Sequence, residues 1–138
     1  MARILGIDPG TRRCGVAITD SARTLAFPRP PLRVDETLLS AIAQLCAEEV
    51  VELVIVGRPV ALSGRATAST NEADELFRAI HESLRPVAVL QWDERLTTLQ
   101  AQRSLQSAGM KAKQHREHID SAAAVLLLQN YLDALRAP

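Results

Sequence analysis

Three acidic residues stand where ionised carboxylates need a partner. Asp8 closes the run Ile4-Leu5-Gly6-Ile7 and precedes Pro9-Gly10-Thr11, Glu94 follows an apolar stretch in Trp92-Asp93-Glu94-Arg95, and Asp120 lies between Ile119 and the alanines from Ala122 to Ala124. A carboxylate at the edge of so apolar a region costs several kcal/mol if it is left unpaired. A cluster of carboxylates is satisfied only by protonation or by a cation, and an all-oxygen donor set suits Mg²⁺ or Mn²⁺. Two such ions, roughly 3.5–4 Å apart, activate a water and stabilise the leaving oxygen of a phosphodiester. Each acid also has a plainer reading. Asp8 can cap the turn at Gly10-Thr11, Glu94 can pair with Arg95 or Arg58, and Asp120 is favoured by the dipole of a helix beginning near it. The three together favour the metal cluster.

Around these acids lie groups suited to a phosphate. The Thr11 hydroxyl and the amides after Asp8 can donate hydrogen bonds, and Arg12 and Arg13 supply positive charge. Arg58 and Arg95 each follow a strand-like run. Lys111, Lys113, His115, Arg116 and His118 form the one dense basic stretch, which leads into Asp120. It can hold a nucleic-acid backbone, or be a solvated loop. His118 reads as a capping or surface histidine before it reads as a ligand.

The elements that must position these residues follow from periodicity. Residues Arg3 to Asp8 read as a short buried strand, and Arg13 to Thr19 as a second, joined to it by a tight turn and hence antiparallel. Leu25 to Val34 is a third strand confined to an edge by Pro28, Pro30 and Pro31. Leu38, Leu39, Ile42, Leu45 and Cys46 recur at helical spacing, with Asp35 and Glu36 near the helix start. Leu53 to Gly57 is a strand buried on both faces. Ser69 with Glu72 makes a capping box for a helix carrying Ala73, Leu76, Phe77, Ile80 and Leu84, which Pro86 stops. Val87 to Leu90 opens a further strand running out to Asp93 and Glu94. Thr97 with Gln100 opens a helix that ends near Gly109, and the last helix spans about Glu117 to Leu135. The order β-β-β-α-β-α-β-α-α describes one three-layer α/β domain over 1–138 with a mixed five-stranded sheet. Chemistry in such sheets collects at the carboxyl ends of parallel strands, where Asp8 and Glu94 fall.

Composition bounds what such a site can serve. The chain has 138 residues, 47% of them hydrophobic, enough for one packed core. Aromatic residues make up only 3%, which argues against a surface that works by stacking bases on rings. Sixteen basic residues balance 16 acidic ones, so nucleic acid must be met by a local patch rather than by net charge. Cys14 and Cys46 lack metal-ligand spacing and read as reduced core thiols. No run approaches the roughly 20 apolar residues of a membrane span, and the first residues are too weakly apolar for a signal peptide. The expected location is cytoplasmic, without a membrane partner.

The runs Gly6-Ile7-Asp8-Pro9-Gly10-Thr11-Arg12, Asp93-Glu94-Arg95-Leu96-Thr97-Thr98, Ile119-Asp120-Ser121-Ala122-Ala123 and Leu128-Gln129-Asn130-Tyr131-Leu132 resemble the YqgF (RuvX) family over nearly the whole chain. The resemblance implies a ribonuclease H-like fold related to the RuvC resolvases, with Asp8, Glu94 and Asp120 binding Mg²⁺ or Mn²⁺. It implies a nuclease that matures the 5′ end of pre-16S ribosomal RNA, with a resolvase-type endonuclease for branched DNA as the alternative. Single-stranded DNA is a further candidate substrate. A homodimer is compatible with paired symmetric cuts. This chain departs from the family in Gly57-Arg58-Pro59, where leucine or lysine is usual before the proline, and in Ser63-Gly64, where an acidic or amide residue usually precedes the glycine. Strand-Asp-x-Gly-Thr also occurs in actin-like and Hsp70-like ATPases, but these need a second domain and a second phosphate loop. The remaining alternative is a non-catalytic nucleic-acid or ribosome-binding module, in which Asp8→Asn would leave function in cells intact.

Overall fold

The computed structural model describes residues 2–96 and 121–136. Its five strands are β1 (Arg3–Asp8), β2 (Arg13–Thr19), β3 (Ala26–Arg33), β4 (Val51–Arg58) and β5 (Ala88–Asp93). Its helices are α1 (Leu38–Glu48), α2 (Ala68–Ser83) and α3 (Ala122–Arg136), and one 3₁₀ turn, Glu94–Leu96, follows β5. The sheet order is β3-β2-β1-β4-β5. β1 pairs antiparallel with β2 and parallel with β4, and β5 runs parallel to β4 on its far side. The prolines of β3 fall at an edge, where a missing N–H costs no ladder bond. The expected helix from Thr97 and the first turn of the last helix lie outside the described residues.

Side-chain alternation along the strands sorts the core into two layers. Leu5, Ile7, Val16, Ile18, Val54 and Val56 pack with Leu38, Ile42, Leu45, Ile80 and Leu84 from α1 and α2. Ile4, Ala17 and Ile55 turn to the other face and meet Ala124, Val125, Leu128, Tyr131 and Leu132 of α3. The same parity carries Asp8 and Gly57 toward the α3 face, along with Trp92, whose ring meets Tyr131 edge-on at 5.1 Å. Arg58 alternates to the α2 face.

Polar anchors fix α3. The fully buried Ser121 Oγ accepts from Val16 N–H at 3.0 Å and donates to Arg29 C=O at 2.7 Å, spanning β2 and β3. Buried Gln129 accepts from Ala26 N–H at 3.0 Å. One expectation is corrected. The capping box of α2 is not Ser69 with Glu72 but Thr67 with Thr70: Thr67 Oγ1 accepts from Thr70 N–H at 3.3 Å, and Thr70 Oγ1 accepts from Thr67 N–H at 2.9 Å. Thr70 is buried and also donates to Pro59 C=O, so its hydroxyl does what Glu does in the commoner box while fitting beneath the loop. Ser69 and Glu72 are thereby released from capping. Cys14 and Cys46 are buried free thiols, and burial holds both above the usual thiol range.

Candidate active site

β1, β4 and β5 run in one direction, so their carboxyl ends share one rim of the sheet. Asp8 ends β1, and Glu94 opens the turn after β5. β4 lies between them, and its rim residue on that face is Gly57. A Cβ built on Gly57 would stand 3.1 Å from Glu94 Cδ and Oε1. The missing side chain lets the Glu94 carboxyl lie across β4 and reach Asp8.

The electrostatics record that contact. Burial, a hydrogen bond to Asp8, and the charges of Asp8 and then Asp93 push the Glu94 carboxyl up to about 9. The sign of the hydrogen-bond effect means that protonated Glu94 donates to the Asp8 carboxylate. Two carboxyl groups in hydrogen-bond contact at the rim form a hard-oxygen donor pair. A divalent cation in the proton's place would be bound by both, so the residues present fit Mg²⁺ or Mn²⁺. Among the described residues no third ligand joins them, and Asp120 lies outside those residues.

An open cleft of about 380 Å³ lies beside Asp8, lined by Gly10, Arg12, Arg13 and Gly15. Thr11 lines a different cavity, on the α2 side of the same turn. Arg58 and Arg95 are already engaged. Arg58 Nε and Nη2 donate to the two oxygens of Asp74 at 3.0 and 3.3 Å, and Gln91 Nε2 donates to Asp74 at 2.7 Å. Arg95 Nη2 donates to Asp93 at 2.6 Å, and Nη1 donates to Leu62 C=O at 3.3 Å, tying the loop after β4 to the rim. These pairs hold Asp74 and Asp93 below the ordinary carboxylate range, chiefly through the guanidinium hydrogen bonds. A phosphate would have to compete with Asp74 for Arg58 and with Asp93 for Arg95. Lys111, Lys113 and Arg116 lie outside the described residues, as do His115 and His118.

Sequence reasoning missed Gly57 as a site residue, and missed the Asp74–Gln91 support beneath Arg58. A glycine ending a β-branched run between two acid-bearing strands was the available signal for the first. Asp74 gave none, being one polar residue of a helix 16 positions from its partner.

A mixed sheet ordered 3-2-1-4-5, with helices on both faces and acids at the shared rim, defines a ribonuclease H-like α/β protein. The folds of solved resolvases agree. RuvC of Thermus thermophilus, solved with a Holliday junction substrate, superposes with a TM-score of 0.65 at 14% identity, covering 99% of this chain and 96% of that one. The fowlpox virus Holliday junction resolvase gives 0.54 at 13% identity over 96% and 99%. The family model described as "RuvX: Holliday junction resolvase" matches residues 2–134, and the chain belongs to that family. Relatives named "Putative pre-16S rRNA nuclease" include one from Mycobacterium tuberculosis, 47% identical over 134 residues, covering 95% of this chain and 78% of its own length. Another, from Corynebacterium jeikeium, is 39% identical over 136 residues, covering 97% and 88%.

Proposed function

We propose that this chain is a metal-dependent nuclease that hydrolyses phosphodiester bonds in the 5′-end maturation of pre-16S ribosomal RNA. The observation that carries the reading is the convergence of Asp8 and Glu94 over Gly57, where the contact raises the Glu94 carboxyl. The names of the relatives support the substrate. Asp8, Glu94 and Asp120 would hold Mg²⁺ or Mn²⁺, as one ion or a pair. For Asp120 the support is its neighbour: Ser121 is bonded to Val16 N–H, and the adjacent Gly15 is the register partner of Asp8. When bound, the metal supplies an activated water and neutralises charge on the scissile phosphate. The chain's own groups do the rest. Asp8 and deprotonated Glu94 would fix the metal position, and the open cleft at Arg12 and Arg13 would admit the phosphodiester backbone. The basic run Lys111, Lys113 and Arg116 extends that contact, and Arg58 and Arg95 join it only by exchanging their carboxylates for phosphate. The expected location is the cytoplasm, and no helix among the described residues is long and apolar enough to cross a membrane.

Cleavage of precursor ribosomal RNA, single-stranded oligonucleotides and four-way DNA junctions, with Mg²⁺ or Mn²⁺ and an Asp8→Asn control, tests this. Metal-dependent cutting that Asp8→Asn abolishes is expected. Equal cutting by the variant, or none by either protein on any substrate, removes the nuclease reading and leaves the binding module. The family's description favours a second reading, the junction resolvase. Preference for four-way junctions over precursor RNA, with a homodimer in solution, would select it.

A further inference from the structure

The turn after Asp8 separates two cavities. One is the cleft lined by Asp8, Arg12 and Arg13. The other, of about 390 Å³, lies between this turn and α2, and Gly10 lines both. Because Gly10 lines both, the second cavity adjoins the cleft beside Asp8. That volume falls within the roughly 300–1,000 Å³ of small-ligand sites.

Its walls suit a flat heterocycle. Pro9, Pro59 and Leu76 give it apolar lining, and the exposed Thr11, Ser69 and Glu72 are polar groups at its solvent side. Thr67 and Thr70 cap α2 between themselves, which leaves Ser69 and Glu72 without that task. Among the described residues no hydrogen bond or ion pair engages the Glu72 carboxylate. It lines the cavity as an acceptor with two oxygens and no donor.

Resting on the nuclease reading, we propose that this cavity takes an unstacked guanine base next to the scissile phosphate, with Glu72 accepting from its N1–H and N2–H. Guanine alone presents two neighbouring donors on its Watson–Crick edge, matching the two carboxylate oxygens. Adenine and cytosine set a ring-nitrogen acceptor beside their one amine, and uracil sets carbonyls on both sides of its N–H. An acceptor facing a carboxylate is a repulsion, so the pocket discriminates by what it refuses as well as by what it binds. A base that must enter a pocket must leave its stack, so the substrate is single-stranded or splayed at the cut.

Mapping the cuts made by the full chain in single-stranded RNA pools, with the equivalent DNA in parallel and Mg²⁺ or Mn²⁺ present, tests this. Cuts should concentrate beside guanine. Inosine, which keeps N1–H but lacks the N2 amine, should lower kcat/KM severalfold at that position. Glu72→Gln should reduce cutting beside guanine by roughly tenfold and raise cutting beside adenine, whose acceptor and amine match an amide, as expected for one bidentate pair. A merely structural role for Glu72 would not exchange one base for the other. In the absence of cutting conditions, guanosine monophosphate should shift the methyl resonances of Thr11 and Leu76 more than uridine monophosphate does. Metal-dependent cutting without base preference, or a Glu72→Gln profile equal to that of the parent, overturns the pocket and leaves the nuclease standing. No cutting of any substrate overturns both.

Discussion

The contact of Glu94 with Asp8 sets a cost that the fold carries once both carboxylates are ionised. The free Glu94 carboxyl titrates near 9, far above an exposed glutamate. Between the ordinary carboxylate range and that value the folded chain holds a proton that the unfolded chain has lost, so the stability of the metal-free protein falls as pH rises through this window. Thermal melting in chelator from pH 5 to pH 9 should show this decline, and Glu94→Gln should flatten it. A slope equal in both proteins would mean that the Glu94 carboxyl is not raised by this contact. Saturating Mg²⁺ or Mn²⁺ should raise the melting temperature more at pH 8.5 than at pH 6, because the ion displaces that proton. Gly57 offers a second handle on the same pair. Its replacement by alanine sets a methyl against the Glu94 carboxyl, which must move by a few tenths of an ångström or swing away. Metal affinity should weaken and cleavage should fall by about 10²-fold, the scale of a misplaced catalytic group. The circular dichroism spectrum should be unchanged, and a variant with parental activity would show that Glu94 does not act from above β4.

At the scale of elements, α3 matters less for its length than for how its first turn is held. Ser121 gives its hydroxyl to two backbone groups on two strands, so Ser121→Ala strands the Val16 N–H and the Arg29 C=O in a dry interface. Losing both partners should cost about 1–3 kcal/mol in urea unfolding. Cleavage should suffer as well if the residue before Ser121 is the third acid, and a destabilised variant with full activity would separate the two roles. Much of this arrangement was legible in the sequence, because apolar periodicity reports which face is buried. β1 and β2 fall at the bounds their alternation gives, and three prolines mark β3 as an edge. What periodicity does not report is which polar group meets which. The serine and glutamate three apart in α2 matched a capping pattern, yet the threonine pair two residues earlier took the cap, because Thr70 could also be buried against Pro59 C=O. The guanidiniums of Arg58 and Arg95 were legible as cations at strand ends. The Asp74 partner of Arg58 depends on strand parity and on the placement of α2, which spacing alone leaves open.

For the whole molecule, the balance of 16 basic and 16 acidic residues decides how it can hold a polyanion. Several cations near the rim are spent internally, with Arg58 on Asp74 and Arg95 on Asp93. The phosphate contacts proposed besides these two are Arg12, Arg13, Lys111, Lys113 and Arg116. Each neutralised phosphate releases condensed counterions, giving a slope of log affinity against log salt of about −0.7 per contact on single strands and −0.9 on duplex. Five contacts set an upper limit of about −3.5 on a single strand and −4.5 on duplex. A general nucleic-acid coat would show steeper dependence and little regard for substrate shape. Fluorescence polarisation with the Asp8→Asn variant, across a salt series in Mg²⁺ or Ca²⁺, should therefore return a slope no steeper than about −3.5 for single-stranded RNA. Arg12→Gln should make it shallower by roughly 0.7, with a matching loss of affinity for every sequence tested. A steeper slope would mean that Arg58 and Arg95 do leave their carboxylates when the substrate binds. The double variant Asp74→Asn/Asp93→Asn, which frees both guanidiniums, should then bind RNA more tightly than its parent, whereas with five contacts its gain at low salt should vanish as the salt rises.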